Sequence, residues 1–180
     1  DFNSNWHGHE CSSTLVATKI AALWCPSDGA ITAFHGFTNY AGNFGDGAYR
    51  DRFNGVFVLG ETQPCLSLSA VTDGTSQTAA ISEWLPGSRV LEEDEQRRVY
   101  LAQYHGKPYQ IDEFSKTCLL NHDPTPPISI IYQKGMPWFR GGWMATLYDH
   151  GMPINAWSCM NNGTSNLNGS CSAGRQHPGG

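Results

Sequence analysis

Glycine and proline interrupt this chain so often that no segment can run far as one helix or one strand. The 180 residues include 20 glycines and 10 prolines. Proline fixes φ and removes a backbone donor, and glycine loses the most entropy when an element is ordered. Long regular elements are therefore excluded, and short elements joined by long loops are expected. Aromatic residues make up 12% of the chain, which supplies a packed core and excludes a disordered polymer. At about 150 residues per domain, residues 1–180 form a single globular domain.

Charge narrows the function. Sixteen acidic residues against 11 basic ones give a net charge of −5. A chain with no basic footprint is not built to bind nucleic acid. No apolar run approaches the ~18 residues of a membrane span. The longest, Leu15 to Cys25, contains Thr18 and Lys19. The chain begins at Asp1 without a methionine and stops at Gly180 just after a turn sequence, so it reads as an internal piece of a longer protein.

The six cysteines, Cys11, Cys25, Cys65, Cys118, Cys159 and Cys171, form no C-x-x-C and no zinc-type spacing. An even number of scattered cysteines suits disulfides in an oxidising compartment. The loop from Asn161 to Ser170 has almost no core-forming residue, so a Cys159–Cys171 bridge across its base is expected. Cys25 is expected to be bridged as well, to Cys11 or Cys65.

Local patterns give an α+β domain with a mostly antiparallel sheet and long loops. A short helix is expected over Leu15 to Ala22, capped by Ser12-Ser13-Thr14. Strands are expected over 31–40, 55–59, 66–71, 78–84, 128–132 and 144–148. The pairs Glu93–Arg97 and Asp94–Arg98 stand at i,i+4 and favour an exposed helix.

Four motifs then stand in order: Leu23-Trp24-Cys25-Pro26-Ser27-Asp28, Thr38-Asn39-Tyr40-Ala41-Gly42-Asn43, Val71-Thr72-Asp73-Gly74-Thr75-Ser76-Gln77-Thr78 with Glu83, and His177-Pro178-Gly179-Gly180. This series resembles the prepilin-like secreted proteins abundant in planctomycetes, whose globular domain has no assigned function. The late segment Met152 to Cys159 resembles the family's Pro-Asn-x-x-x-Cys element. Gln77 stands where the family has Asn, and Ser82-Glu83 where it has Gly-Glu. The family's N-terminal apolar helix and its Asp-Gly end have no counterpart in this chain. The likeness covers residues 15–84 and 136–180 and leaves 85–135 as a variable insertion, expected to form an outer lobe or flap on one edge of the sheet that sets partner or neighbour specificity, with an extra layer of core as the alternative. It implies a pilin-like globular domain, outside the cell or on the bacterial surface, whose membrane contact would come only through the N-terminal helix.

Candidate chemistry is sparse. Asp73, Gly74, Thr75 and Ser76 could present a nucleophile, but no G-x-S-x-G elbow surrounds Ser76, and turn chemistry accounts for all four. Asp28 reads as another turn cap. His177 reads as a histidine bonded beneath the turn at Gly179. Glu83 ends an apolar strand and needs a partner if buried, with His177 or Arg175 available. Asn43, Asp46 and Asp51 share a Gly-rich loop whose oxygens could hold calcium as a cofactor. His7 and His9 could hold a transition metal weakly. Trp138, Trp143 and Trp157 offer aromatic surface for a glycan or a partner. Asn162-Gly163-Thr164 and Asn168-Gly169-Ser170 match the glycosylation pattern but read as loop chemistry. No catalytic residue is expected. The reading is a structural protein that assembles with itself or with envelope proteins. An extracellular binding module for a glycan or protein is the alternative.

Overall fold

The structure is a computed structural model that describes residues 10–29, 36–45, 55–57, 66–87, 97, 99–102, 111–120, 122–123, 134–141, 145–149, 151–156, 158–161 and 170–171. Among these residues, two α-helices and two short mixed sheets make a small α+β fold. Helix α1 spans Glu10–Ala17 and is followed by a 3₁₀ turn at Ala21–Leu23. The expected helix over 15–22 therefore begins earlier and breaks at Thr18, whose hydroxyl turns back onto the Thr14 carbonyl at 2.7 Å. The last turn of a helix leaves carbonyls without partners. Here the Gly36 N–H donates to Val16 O at 2.6 Å, and the Trp138 indole N–H donates to Thr18 O at 2.9 Å.

In the first sheet β1 (Tyr40–Asn43) lies between β2 (Ile81–Glu83) and β5 (Leu147–Tyr148). Strand β2 is antiparallel to β1, with Ala41 opposite Ser82, and β5 is parallel, with Gly42 opposite Leu147. Successive residues face opposite sides of a strand. Ala41, Asn43 and Tyr148 face inward, and Ala41 and Tyr148 join Trp84 in the core. The opposite face carries Tyr40, Gly42, Ile81 and Glu83. Gly42 is required there, because a Cβ would stand 2.7 Å from the Phe57 ring.

The second sheet runs β4 (His122–Asp123), β3 (Val99–Ala102), β6 (Ser158–Asn161), β7 (Ser170–Cys171). Strands β3 and β6 are parallel, and the outer pairings are antiparallel. Helix α2 (Ile111–Leu120) packs on β3 and β4 and is joined to β6 by the Cys118–Cys159 disulfide, with Cα atoms 5.9 Å apart.

Several expectations are corrected. The sheet structure is mixed and divided in two, since strands from distant segments enter beside β1 and β3 in parallel. Residues 66–71 form no strand; Leu68–Ala70 is a 3₁₀ turn held by local bonds such as Ala70 N to Ser67 O at 2.9 Å, with residues 66–70 exposed. Cys159 is bonded to Cys118, not to Cys171, and Cys25 is a free thiol. The described residues of the segment 85–135 belong mostly to the second sheet and the helix packed on it. The segment supplies β3, β4 and α2, with Val99, Tyr100 and Cys118 buried. Of the strand expected over 31–40, residues 36–39 form no strand and β1 begins only at Tyr40, while 31–35 lie outside the described residues, as do the strand expected over 128–132 and, apart from Arg97, the helix expected near 92–98.

Candidate functional site

The 25–28 turn closes locally, the Asp28 N–H donating to Cys25 O at 3.0 Å. Its side chain then leaves the turn. The Asp28 carboxylate is almost fully buried and is held by Arg97, which enters from the segment between the two motif blocks. The same guanidinium donates to the Pro86 carbonyl at 3.3 Å. A buried ion pair offsets its desolvation only when further hydrogen bonds satisfy it, and Asn39 supplies the next one, its amide donating to the second Asp28 oxygen.

Asn39 has 1% of its surface exposed and organises the surrounding backbone. Its Oδ1 accepts from the Cys25 N–H at 3.0 Å, and its Nδ2 also donates to Trp84 O at 3.2 Å. The main chain adds Asn39 N to Leu23 O at 2.9 Å and Trp84 N to Asn39 O at 2.8 Å. The Trp84 indole N–H donates to Thr38 O at 3.0 Å, and the Thr38 N–H donates to Gly135 O at 2.9 Å. Gly135 has φ of +76°, and a Cβ there would meet the Thr38 carbonyl at 2.8 Å. Two of the sequence motifs, the strand end at 83–84 and the loop at 134–135 thus meet at one buried polar knot.

Beside the knot lies a cleft of about 470 Å³, lined by Ala21, Trp24, Pro26, Phe37 and Asn39 with the Cys25 thiol. Trp24 and Phe37 stack there with ring centroids 4.8 Å apart, and the Lys19 ammonium lies 5.3 Å from the Trp24 ring. Sequence reasoning did not select Trp24, although it directly precedes the Cys25-Pro26 turn, the one signal that could have found it.

On the outer face, Tyr40 stands opposite Glu83 across β1 and β2. Burial, then the neighbouring Glu83 and Cys25, raise the Tyr40 pKa. One Glu83 oxygen is buried without a hydrogen-bond partner. Burial likewise raises the Tyr148 phenol, against a hydrogen bond with Ser82 that lowers it, and burial lowers the Arg140 pKa.

The remaining candidates are dispersed. Asp73, Thr75 and Ser76 are exposed on a turn where Gly74 has φ of +90° and accepts from the Gln77 N–H at 3.0 Å and the Thr78 hydroxyl at 3.1 Å. The Asn43 amide accepts from the Gly45 N–H at 2.8 Å and donates to Ala79 O at 2.8 Å, which is turn chemistry. Trp138 is half-buried, with its indole N–H fixed on Thr18. His7, His9, Asp46, Asp51, Trp143, Trp157, Arg175, His177 and Gly179 lie outside the described residues. Among the described residues, no helix is long and apolar enough to cross a membrane. Comparison with protein-family models, with curated proteins and with solved structures gives no match to this chain.

Proposed function

We propose that the chain is the globular part of a pilin-like structural protein, placed outside the cell in a filament or envelope assembly. One observation supports the reading: Asp28 and Asn39, polar residues of two of the motifs, are engaged in holding the fold. Asp28 and Asn39 bond to each other, to Arg97 and to backbone, which leaves them no free valence for chemistry on a substrate. The exposed Asp73–Ser76 turn stands apart from that knot and brings it no partner. Leu68, on the 3₁₀ turn, and Ile81, on β2, are exposed at 78% and 60% and offer apolar surface for subunit contact. The test is mechanical shearing of intact cells followed by immunogold labelling with antibody to this domain. Label on sheared fibres or envelope fragments is the expected result. Recovery of the protein wholly inside the cell as a free monomer would overturn the reading.

The cleft beside Trp24 favours a second reading, an extracellular binding module for a glycan or a protein. Its test is retention on a glycan array that is lost in Trp24→Ala. A folded protein that binds nothing on the array, yet labels fibres, would leave the assembly reading alone.

A further inference from the structure

The cleft beside Trp24 has fixed walls, and the groups on them left without partners are of one kind. Its volume of about 470 Å³ falls within the ~300–1,000 Å³ of small-molecule sites, which are mostly apolar with a few placed polar groups. Trp24, Phe37, Pro26 and Ala21 supply the apolar surface, and the Trp24 and Phe37 planes stack 14° apart. The polar edge is held by bonds already made. Asn39 accepts from the Cys25 N–H and donates to Asp28, and Arg97 neutralises the Asp28 carboxylate. A site fixed in this way does not have to be ordered by its ligand. Two groups at Trp24 remain unanswered. The Trp24 indole N–H, which can only donate, is buried without an acceptor. The Lys19 ammonium is exposed over the same ring, 5.3 Å from its centroid, and has no ion pair among the described residues. One group lacks an acceptor and the other lacks an anion.

We propose that this cleft binds a small aromatic carboxylate, with its ring against the aromatic wall and its carboxylate at Lys19. Aromatic rings pack on one another in offset or edge contacts, and the Trp24–Phe37 wall offers both a ring face and ring edges. Charge decides the other end of the ligand. Asp28 brings no net negative charge to the cleft, since Arg97 pairs with it, so the charge at the rim is the positive charge of Lys19. An exposed ammonium contributes modestly to affinity and is screened by salt. The inference rests on the reading of the cleft as a binding site and narrows its ligand to an apolar anion, because a neutral glycan gives Lys19 no charge to meet. Cys25 takes no chemical part. It lines the same cleft as a free thiol and therefore reports whether the cleft is occupied.

The probes are naphthylacetate and its uncharged amide, naphthylacetamide, titrated into the protein by calorimetry. Alkylation of Cys25 by iodoacetamide is followed in parallel by peptide mass spectrometry. The acid should bind about fivefold more tightly than the amide at low salt, the upper end for an exposed ion pair. The gap should close at ~1 M salt, where charges are screened within ~3 Å. Saturating acid should slow Cys25 alkylation severalfold. Lys19→Gln, at an exposed position, should bring the acid down to the affinity of the amide, and Lys19→Arg should restore the gap. Equal affinity for the two probes, with Cys25 protected by both, would leave the cleft a binding site and overturn the anion assignment. Acid binding that leaves Cys25 alkylation unchanged, or that is unaltered in Lys19→Gln, would overturn the proposal. Glycan retention that is lost in Trp24→Ala, with neither probe bound, would overturn it too and leave the glycan reading standing. Binding of no probe and no glycan would remove both.

Discussion

Asn39→Ala tests the buried knot at its centre. The substitution removes an acceptor from the Cys25 N–H and a donor from both Trp84 O and the Asp28 carboxylate. Each neutral bond contributes about 1 kcal/mol, and the one to the ionised group about 1.5–3 kcal/mol. With 1% of Asn39 exposed, water cannot easily replace what is lost. The expected loss is therefore about 3.5–5 kcal/mol, a large part of the ~5–15 kcal/mol that holds a domain folded. In a chain of this size that lowers Tm by on the order of 10 °C. Denaturant unfolding followed by tryptophan fluorescence reads it as a lower midpoint at constant slope. Asn39→Asp sharpens the test by setting a second carboxylate against Asp28. It should be worse than Ala at neutral pH, because two like charges would then share one buried site. A loss below ~1 kcal/mol for Asn39→Ala would refute the reasoning.

Gly36→Ala would put a Cβ 1.9 Å from Thr18 O and 2.7 Å from the Trp138 ring, so thermal melts should record a loss of about 3 kcal/mol or more. Gly141→Ala, with nothing within 4 Å, is the control and should stay within ~0.5 kcal/mol. Ser76→Ala, on the exposed turn, should likewise change stability by less than ~0.5 kcal/mol in the same assay. Tyr40 and Tyr148 have raised pKa values. Above pH ~10 the unfolded chain loses phenolic protons that the native state keeps, so stability falls as pH rises. Tyrosinate absorbance should show late-titrating phenols, fewer in Tyr40→Phe, and alkaline melts should show the fall.

Local signals were legible and distant partners were not. The Cys25–Asp28 turn was readable because Pro and Asp carry turn chemistry in their own geometry. That Asp28 meets Arg97 was not readable, since the contact joins residues 69 apart in sequence. The strand expected over 78–84 holds β2, whose partner β1 supports it. Alternation of apolar and polar residues misled over Leu66 to Val71, where local i→i+3 bonds won and Leu66 and Leu68 stayed exposed. The loop between Cys159 and Cys171 suggested a local bridge, and the register does set those residues opposite one another. The sulfur partner came instead from α2, a helix that sequence reasoning did not mark. Its cue was present in the apolar spacing of Ile111, Phe114 and Cys118 at i, i+3 and i+7. Two sheets rather than one could not be inferred, because parallel pairing of β3 with β6 is a tertiary fact.

The account's central claim is that the motif turn and the segment between the motif blocks form one structural unit through Asp28 and Arg97. A double-mutant cycle with Asp28→Ala, Arg97→Met and the pair measures it directly. Each single variant removes one partner of the buried ion pair and should lose about 3–5 kcal/mol, while the double variant should recover part of that loss. The predicted coupling is about 2 kcal/mol. Additive losses, with coupling below ~0.5 kcal/mol, would contradict the claim.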